Sequence, residues 1–410
     1  MELKEISLTD FNNHADMVIN RSFMQTEEMA KLLEKRGMDV RFIGLENDGV
    51  ILVSAIIYAI PMTGGLHLEI NSGPIYQDSK NLSLFYRKLK SYAKKRGALQ
   101  LLVKPYDTYQ TFDSEGKATG PEMIERIKDL TENGYRHDGL LTGYPGGEPD
   151  WLFVKDLNGL TTENLTQSFS KKGRPLVKKA KSFGIKIRRL ERNELHIFKE
   201  ITSSTSKRRE YSDKSLDYYE DFYDSFGQEA EFMVASLNFQ EYYKLISEQY
   251  SQCQSSIEEI IDFYGEEPNS VKPKKQLKEL TNHLQSLEIR RNEAKDFMTK
   301  YGQQDIILAG SLFIYTPQEA VYLFSGSYTE FNKFYAPTLL QEHVMQKAIK
   351  RGISFYNFLG ITGVFDGSDG VLRFKQNFNG YIVRKMGTFR YYPNPIKFKT
   401  LQLLKKILRR

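Results

Sequence analysis

The chain repeats one structural phrase. Val50 to Ile60, a turn at Thr63-Gly64-Gly65 and Leu66 to Ile70 read as a β-hairpin. Ser72-Gly73 follows, then a helix through Leu84, Leu89 and Tyr92 that ends Ala93-Lys94-Lys95-Arg96-Gly97, then an apolar strand, Leu99 to Val103. Much later Ile306 to Tyr315 and Val321 to Phe324 form a second hairpin around Thr316-Pro317. Ser325-Gly326, a helix ending Ala348-Ile349-Lys350-Arg351-Gly352 and the strand Ile353 to Phe358 follow it. Basic residues and glycine suit any helix C-terminus, where the dipole is negative and the left-handed cap favours Gly. Hairpin, Ser-Gly, helix and strand in the same order are a stronger constraint, and they predict two copies of one α/β domain. A length of 410 residues accommodates two to three domains.

A different pattern lies between the copies. Tyr243, Ile246, Tyr250, Cys253, Ile257, Ile260 and Tyr264 alternate spacings of three and four. After Gly265 and Pro268 the spacing resumes at Leu277, Leu280, Leu284, Leu287, Arg291, Ala294 and Met298. This is heptad geometry with a hairpin tip, broken once by Arg291. The first arm carries seven acids and one base, the second eight bases and four acids, so an antiparallel pair attracts as it buries its seam. The expected architecture is α/β: two similar domains with an inserted antiparallel two-helix coiled coil. The expected boundaries are 1–150 for the first domain, 151–239 with 302–395 for the second, 240–301 for the arm and 396–410 for a basic C-terminal helix.

Several chemistries find no residues. Cys253 is the single cysteine, which excludes an intramolecular disulfide, and its place in the seam reads as packing. The six histidines show no ligand spacing, so no metal site is expected. There is no Walker loop, no Gly-x-Gly-x-x-Gly after a strand and no Gly-x-Ser-x-Gly elbow; Gly143-Tyr144-Pro145-Gly146-Gly147 reads as an interdomain turn. Transfer of an already activated acyl group, without metal, redox cofactor or covalent nucleophile, fits what is left. The net charge of +6 is localised. Ile396 to Arg410 holds six cations and no acid, and Lys171 to Arg192 holds ten basic residues against Glu191 alone. Such clusters hold phosphate, of nucleic acid or of lipid head groups. The start, Met-Glu-Leu-Lys-Glu, lacks the plan of a signal peptide, and the expected location is cytoplasmic.

Ordered motifs carry a family resemblance along essentially the whole chain. They are Phe23-Met24-Gln25-Thr26, the stretch Gly173-Arg174-Pro175-Leu176-Val177-Lys178-Lys179-Ala180-Lys181 with Gly184-Ile185-Lys186-Ile187-Arg188, Phe334-Tyr335-Ala336-Pro337, Tyr356-Asn357-Phe358-Leu359-Gly360 and Arg373-Phe374-Lys375. With a helical insertion at the right place, the chain resembles the FemABX family of aminoacyl-tRNA-dependent peptidoglycan aminoacyltransferases. The resemblance implies two domains of the Gcn5-related acetyltransferase type. It implies transfer of Ala, Ser or Gly from its tRNA ester to the stem-peptide lysine, or the growing cross-bridge, of a precursor such as lipid II. No cofactor is implied; aminoacyl-tRNA is the co-substrate, and a lipid-linked or UDP-linked muropeptide the acceptor.

The same resemblance assigns residues. Lys375 matches the family's catalytic cation and Phe374 the wall beside it. Tyr218 and Tyr322 match substrate-contacting tyrosines, a further one being Phe324 here. The phosphate-binding arginine is replaced by Lys214, a point charge without a bidentate fork. The N-terminal phosphate-binding lysine falls on Leu33, which leaves Lys31, Lys35 or Arg36 as substitutes on that helix. An aspartate once considered catalytic falls on Lys104, so no carboxylate base is assigned. For tRNA the candidates are Lys171, Lys172, Arg174, Lys178, Lys179 and Lys181, with Lys272, Lys274 and Lys275 at the arm's tip. The tail, with Phe398, Leu401, Leu404 and Leu408 among its cations, suits peripheral contact with an anionic bilayer. Two alternatives stay open: an acetyl-CoA-dependent N-acyltransferase, whose phosphate loop is not convincingly present, and a non-catalytic tRNA- or envelope-binding protein.

Overall fold

The computed structural model describes residues 1–408; the tail cations Arg409 and Arg410 lie outside the described residues. The strands form two eight-stranded sheets. The first contains β1 (Glu2–Glu5), β2 (Asp39–Asn47), β3 (Val50–Met62), β4 (Gly65–Asn71), β5 (Ile75–Tyr76), β6 (Ala98–Lys104), β8 (Arg136–His137) and β16 (Phe389–Tyr391). The second contains β7 (Thr108–Phe112), β9 (Trp151–Asp156), β10 (Lys186–Arg189), β11 (Ala230–Asn238), β12 (Asp305–Tyr315), β13 (Ala320–Ser327), β14 (Phe355–Ile361) and β15 (Tyr381–Lys385). Their orders are β1-β2-β3-β4-β6-β16-β8, with β5 on β3, and β10-β11-β12-β13-β14-β9-β15-β7.

The duplication is visible in these orders. In each sheet an antiparallel run leads to one parallel pair, β4 with β6 and β13 with β14. A parallel pair needs a crossover, here the helices Leu82–Lys95 and Ala336–Lys350. The first buries Leu82, Phe85, Tyr86, Leu89 and Ala93, an apolar stripe at helical spacing. Both crossovers stop at an arginine followed by a left-handed glycine, Gly97 and Gly352, each at φ 73°. The Ser-Gly pairs are not equivalent. Gly73 follows β4, whereas Gly326 lies within β13, where a Cβ would come 2.6 Å from the Ile201 carbonyl oxygen.

The expected domain boundaries are crossed by two strands. β7, within 1–150, pairs with β15 of the second sheet, and β16, within 302–395, sits between β6 and β8 of the first. The boundaries 1–150 and 302–395 therefore do not separate the sheets. Strands of three to five residues carry too little pattern to name a partner hundreds of residues away. One apolar core also runs across both halves, joining Phe11, Leu32 and Ile56 to Phe198, Tyr219, Phe222 and Phe232.

The arm is a hairpin of the helices Phe239–Tyr264 and Val271–Tyr301. Its root is aromatic: Phe239 stacks on Phe297 at 4.6 Å. Contacts Tyr242 to Arg290 and Cys253 to Leu280 run antiparallel along the seam. Arg291 adapts to its seam position by setting its guanidinium 4.2 Å from the Tyr250 ring centroid. Cys253 is buried there, as packing requires. The 26-residue helix is about 39 Å long, which carries Lys272, Lys274 and Lys275 well away from its root.

Candidate active site

β13 and β14 pair only at Ala320–Tyr356 and Val321–Asn357, whereas β4 and β6 pair from Leu66 to Asn71. Beyond Val321 and Asn357 the second parallel pair opens. Tyr322 leaves one side of that opening, and Leu359 and Gly360 leave the other. β14 is irregular there against β9, and Leu359 takes a left-handed conformation at φ 57°. Its N–H is taken by the Asn357 side-chain oxygen at 2.8 Å.

Lys375 reaches this point from the helix Gly370–Gln376. Asp369 caps that helix through one oxygen, accepting from the N–H groups of Val371 and Leu372 at 2.8 and 3.0 Å. Its other oxygen accepts from Thr362 N–H and Oγ1 at 3.0 and 2.8 Å, closing the glycine-rich loop between them. The loop is further pinned by Phe365, edge-on to Trp151 at 5.5 Å. Lys375 is 3% exposed, and its Nζ donates to the carbonyls of Leu359 and Gly360 at 3.0 and 2.6 Å. Burial lowers its ammonium to about 7 against the pull of Asp369. An ammonium has three N–H donors. Two are spent on the strand, and one remains.

Phe374 and Tyr322 belong to one aromatic file with this lysine. Phe374 packs on Phe378 at 5.4 Å, Phe378 on Phe358 at 5.2 Å and Phe358 on Tyr322 at 6.5 Å. Phe324 does not join them. A bulge in β13 between its pairings with Leu312 and Phe313 turns Phe324 to the other layer, where it meets Tyr218 at 6.1 Å.

That second layer holds the phosphate candidates. Arg36 and Lys214 both approach the Tyr218 ring, at 4.9 and 5.3 Å from its centroid. The Lys214 backbone N–H donates to Asp213 at 2.9 Å, and Asp213 also accepts from Lys199 at 2.6 Å and from the Tyr219 hydroxyl at 2.9 Å. Lys31 pairs with Glu27 at 2.7 Å and Lys35 with Asp224 at 3.4 Å. Of the three substitutes on the first helix, Arg36 is the one brought to Tyr218, with Asp221 at 3.9 Å behind it. Lys104 sits elsewhere, on the buried Glu69 and the half-exposed Glu148 at 2.9 Å each, in an ionic group of the first half.

The basic stretch is the helix Gly173–Lys181. Its N-terminus is pressed on the turn just after Lys375: a Cβ on Gly173 would lie 1.9 Å from the Asn377 carbonyl oxygen, and Ser170 N–H donates to that oxygen at 3.1 Å. Lys171, Lys172, Arg174 and Lys178 are exposed. Lys179 lies over the Tyr335 ring at 5.3 Å and Lys181 pairs with Glu342 at 2.6 Å. Sequence reasoning missed a set of buried groups around the opening. Lys155 donates to Asn379 O at 2.9 Å and is lowered to about 8 by burial. Glu319, 1% exposed, accepts from Asn357, Tyr106 and the Phe23 N–H. An isolated acid after a hairpin turn carries no signal of that burial.

Two similar sheets, each with one parallel strand pair behind a crossover helix, and a buried lysine at the one pair that opens define a tandem protein of the acetyltransferase fold. A tandem GNAT protein from the clavulanic acid biosynthesis pathway is similar in fold, at TM-score 0.50 and 8% identity over 96% of this chain and 99% of its own. A crystal structure of FemX is similar at TM-score 0.77 and 20% identity, covering 98% and 99% of the two chains. The FemAB family model matches residues 6–406, and the chain belongs to that family. Proteins named aminoacyltransferase FemA from Staphylococcus epidermidis and Staphylococcus aureus are each 26% identical to it over 416 residues, 99% of this chain. The alignment covers 100% and 99% of those relatives.

Proposed function

We propose that this FemAB-family aminoacyltransferase moves an amino acid (Ala, Ser or Gly) from its tRNA ester to an amine of a muropeptide precursor such as lipid II, at the stem-peptide lysine or the growing cross-bridge. The observation that carries the reading is Lys375, buried at the opened strand pair with two donors fixed on carbonyls and one unspent. The amine nitrogen attacks the ester carbonyl carbon, a C–N bond forms, the C–O bond to the ribose breaks, and the proton lost by the amine ends on the ribose hydroxyl. Negative charge grows on the carbonyl oxygen in between. A preorganised donor aimed there is worth about 2.7–4 kcal/mol, and positioning of an already activated ester supplies much of the rest. Phe374 and Tyr322 wall the acyl group.

Arg36 and Lys214 take the precursor's pyrophosphate beside Tyr218. The tRNA lies along Lys171, Lys172, Arg174 and Lys178, on a helix bonded to the turn that follows Lys375. Lys272, Lys274 and Lys275 offer a second contact at the arm's tip. No helix of the described residues is long and apolar enough to cross a membrane. The helix Pro395–Leu408 instead packs Phe398 on Tyr392 at 4.3 Å and leaves Ile396, Leu403, Leu404, Ile407 and Leu408 exposed among Lys397, Lys399, Lys405 and Lys406. That face suits an anionic bilayer at the cytoplasmic side, where a lipid-linked acceptor would be met.

The test is to incubate the protein with lipid II, unbranched or singly branched, and tRNA charged with labelled alanine, serine or glycine. Label in the lipid product identifies donor and acceptor together. Folded protein that binds charged tRNA and transfers nothing with any pair refutes the reading. Association with anionic liposomes should disappear on deleting residues 396–410, and its persistence removes the tail from the membrane surface.

A further inference from the structure

The bulge that presents two carbonyls to Lys375 is itself held by buried side chains. Leu359 is a branched residue in the left-handed region, which L side chains rarely adopt. What holds it there is the Asn357 side chain, whose Oδ1 accepts the Leu359 N–H at 2.8 Å, the closure by which asparagine supports such turns. Asn357 is fully buried, and its orientation is fixed from behind: Nδ2 donates to Glu319 Oε2 at 2.8 Å. An N–H on one side and a carboxylate on the other permit a single amide orientation.

Glu319 is anchored in turn by three segments. It stands in the turn between β12 and β13, its Oε2 also accepts from the Tyr106 hydroxyl at 2.8 Å, and its Oε1 accepts from Phe23 N–H at 3.3 Å. Lys385 closes the back of the cluster, with Nζ 3.6 Å from the Tyr106 ring centroid and 2.5 Å from the Tyr106 carbonyl oxygen. Burial raises the Glu319 carboxyl above its usual range, against the bonds from Asn357, Tyr106 and Phe23. Phe23 opens the run that enters the helix before Arg36. The cluster thus joins the strand behind Lys375 to the element that carries a phosphate candidate.

We infer that Asn357, oriented by Glu319, is a positioning residue of the transfer reaction: it imposes the left-handed turn at Leu359 that aims the Leu359 and Gly360 carbonyls at Lys375. The inference rests on the reading of Lys375 as the oxyanion donor. It accounts for why a buried acid with no substrate contact sits beneath the opened strand pair. It also distinguishes Asn357 from an ordinary buried polar group, because the bond that matters is to the backbone two residues on.

The experiment uses the full chain and two readouts. One is kcat and KM for transfer from charged tRNA to lipid II. The other is the pH titration of the Lys375 ¹³Cε resonance, assigned by its loss in Lys375→Met, which reports the carbonyl pair whether or not the lysine is catalytic. In Asn357→Ala, kcat should fall on the order of 10- to 100-fold, the cost of a small misplacement of a catalytic group, with KM little changed and the Lys375 titration displaced. Adding Leu359→Gly should restore both, since glycine takes a positive φ without a side-chain prop. A loss of kcat with the Lys375 titration unmoved, or a loss that Leu359→Gly does not relieve, overturns the inference. So does an Asn357→Ala protein with wild-type kcat and an unmoved titration. A displaced titration with unchanged turnover shows that Asn357 sets the turn at Leu359 but refutes the catalytic reading of Lys375, and with it the role of Asn357 in transfer. If Asn357→Ala fails to fold, Asn357→Asp asks the same question. Two facing carboxyls can then hold the turn only when they share a proton, so the ratio of variant to wild-type kcat should rise as pH falls, and a pH-independent ratio overturns the inference.

Discussion

Replacing Lys375 by methionine should cut transfer by about 10²- to 10³-fold while leaving the protein nearly as stable as before, because the two effects have different physical origins. In the folded chain the ammonium titrates at about 7 rather than 10.5. The unfolded chain therefore binds more protons between those values. The cost of burial is full below the folded value, relaxes as pH rises through the window and vanishes above the unfolded value. At neutral pH it amounts to about 4 kcal/mol, at about 1.4 kcal/mol per unit. Methionine removes that cost but orphans the Leu359 and Gly360 carbonyls, each worth about 1–3 kcal/mol when left without a partner. The terms nearly cancel, so the unfolding midpoint should move by no more than a few degrees. Catalysis has no such compensation. Loss of one preorganised donor costs about 2.7–4 kcal/mol, or roughly 10²- to 10³-fold in kcat. Calorimetry and a single-turnover transfer assay on the same preparation read the two effects. Wild-type turnover would refute the role of Lys375, and a fall of many degrees in midpoint would refute the account of its burial.

The rate profile follows from the donor count. Only the ammonium keeps a third N–H, so kcat/KM should rise with pH as the acceptor amine deprotonates and then level near pH 7, where Lys375 begins to lose its proton. Lys375→Met should continue to rise, and a wild-type profile that also rises without a break excludes the ammonium as the active form. Arg36→Ala and Lys214→Ala should each weaken binding of a pyrophosphate-bearing precursor about 10- to 100-fold, the worth of a hydrogen bond to a charged group. Lys31→Ala, whose partner is Glu27, should leave that affinity unchanged in the same titration. Replacing Lys171, Lys172 and Lys178 together by alanine should reduce the slope of log affinity for tRNA against log salt by about 2–3. An unchanged slope removes that helix from the tRNA surface.

Local patterning along the chain already settled the duplication, because the hairpin, the crossover helix and its basic-glycine stop survive in each copy. It determined the arm as well, since heptad spacing states which face of each helix is buried before any partner is known. Lys375 was legible as a motif, but its environment was not. The structure found Arg36, rather than Lys31 or Lys35, facing Tyr218, because ion pairing within and between helices depends on packing that spacing alone does not fix. It also found a bulge in β13 that separates Tyr322 from Phe324, two positions that a regular strand would set on one face. The exchange of β7 and β16 between the sheets was decided only in three dimensions. Short edge strands take whichever partner the folded core offers. The burial of Lys375, and of Asn357 and Glu319 beneath it, was settled in the same way: a residue's local sequence specifies its chemistry, and only the packing of distant segments removes the water that would otherwise keep that chemistry ordinary.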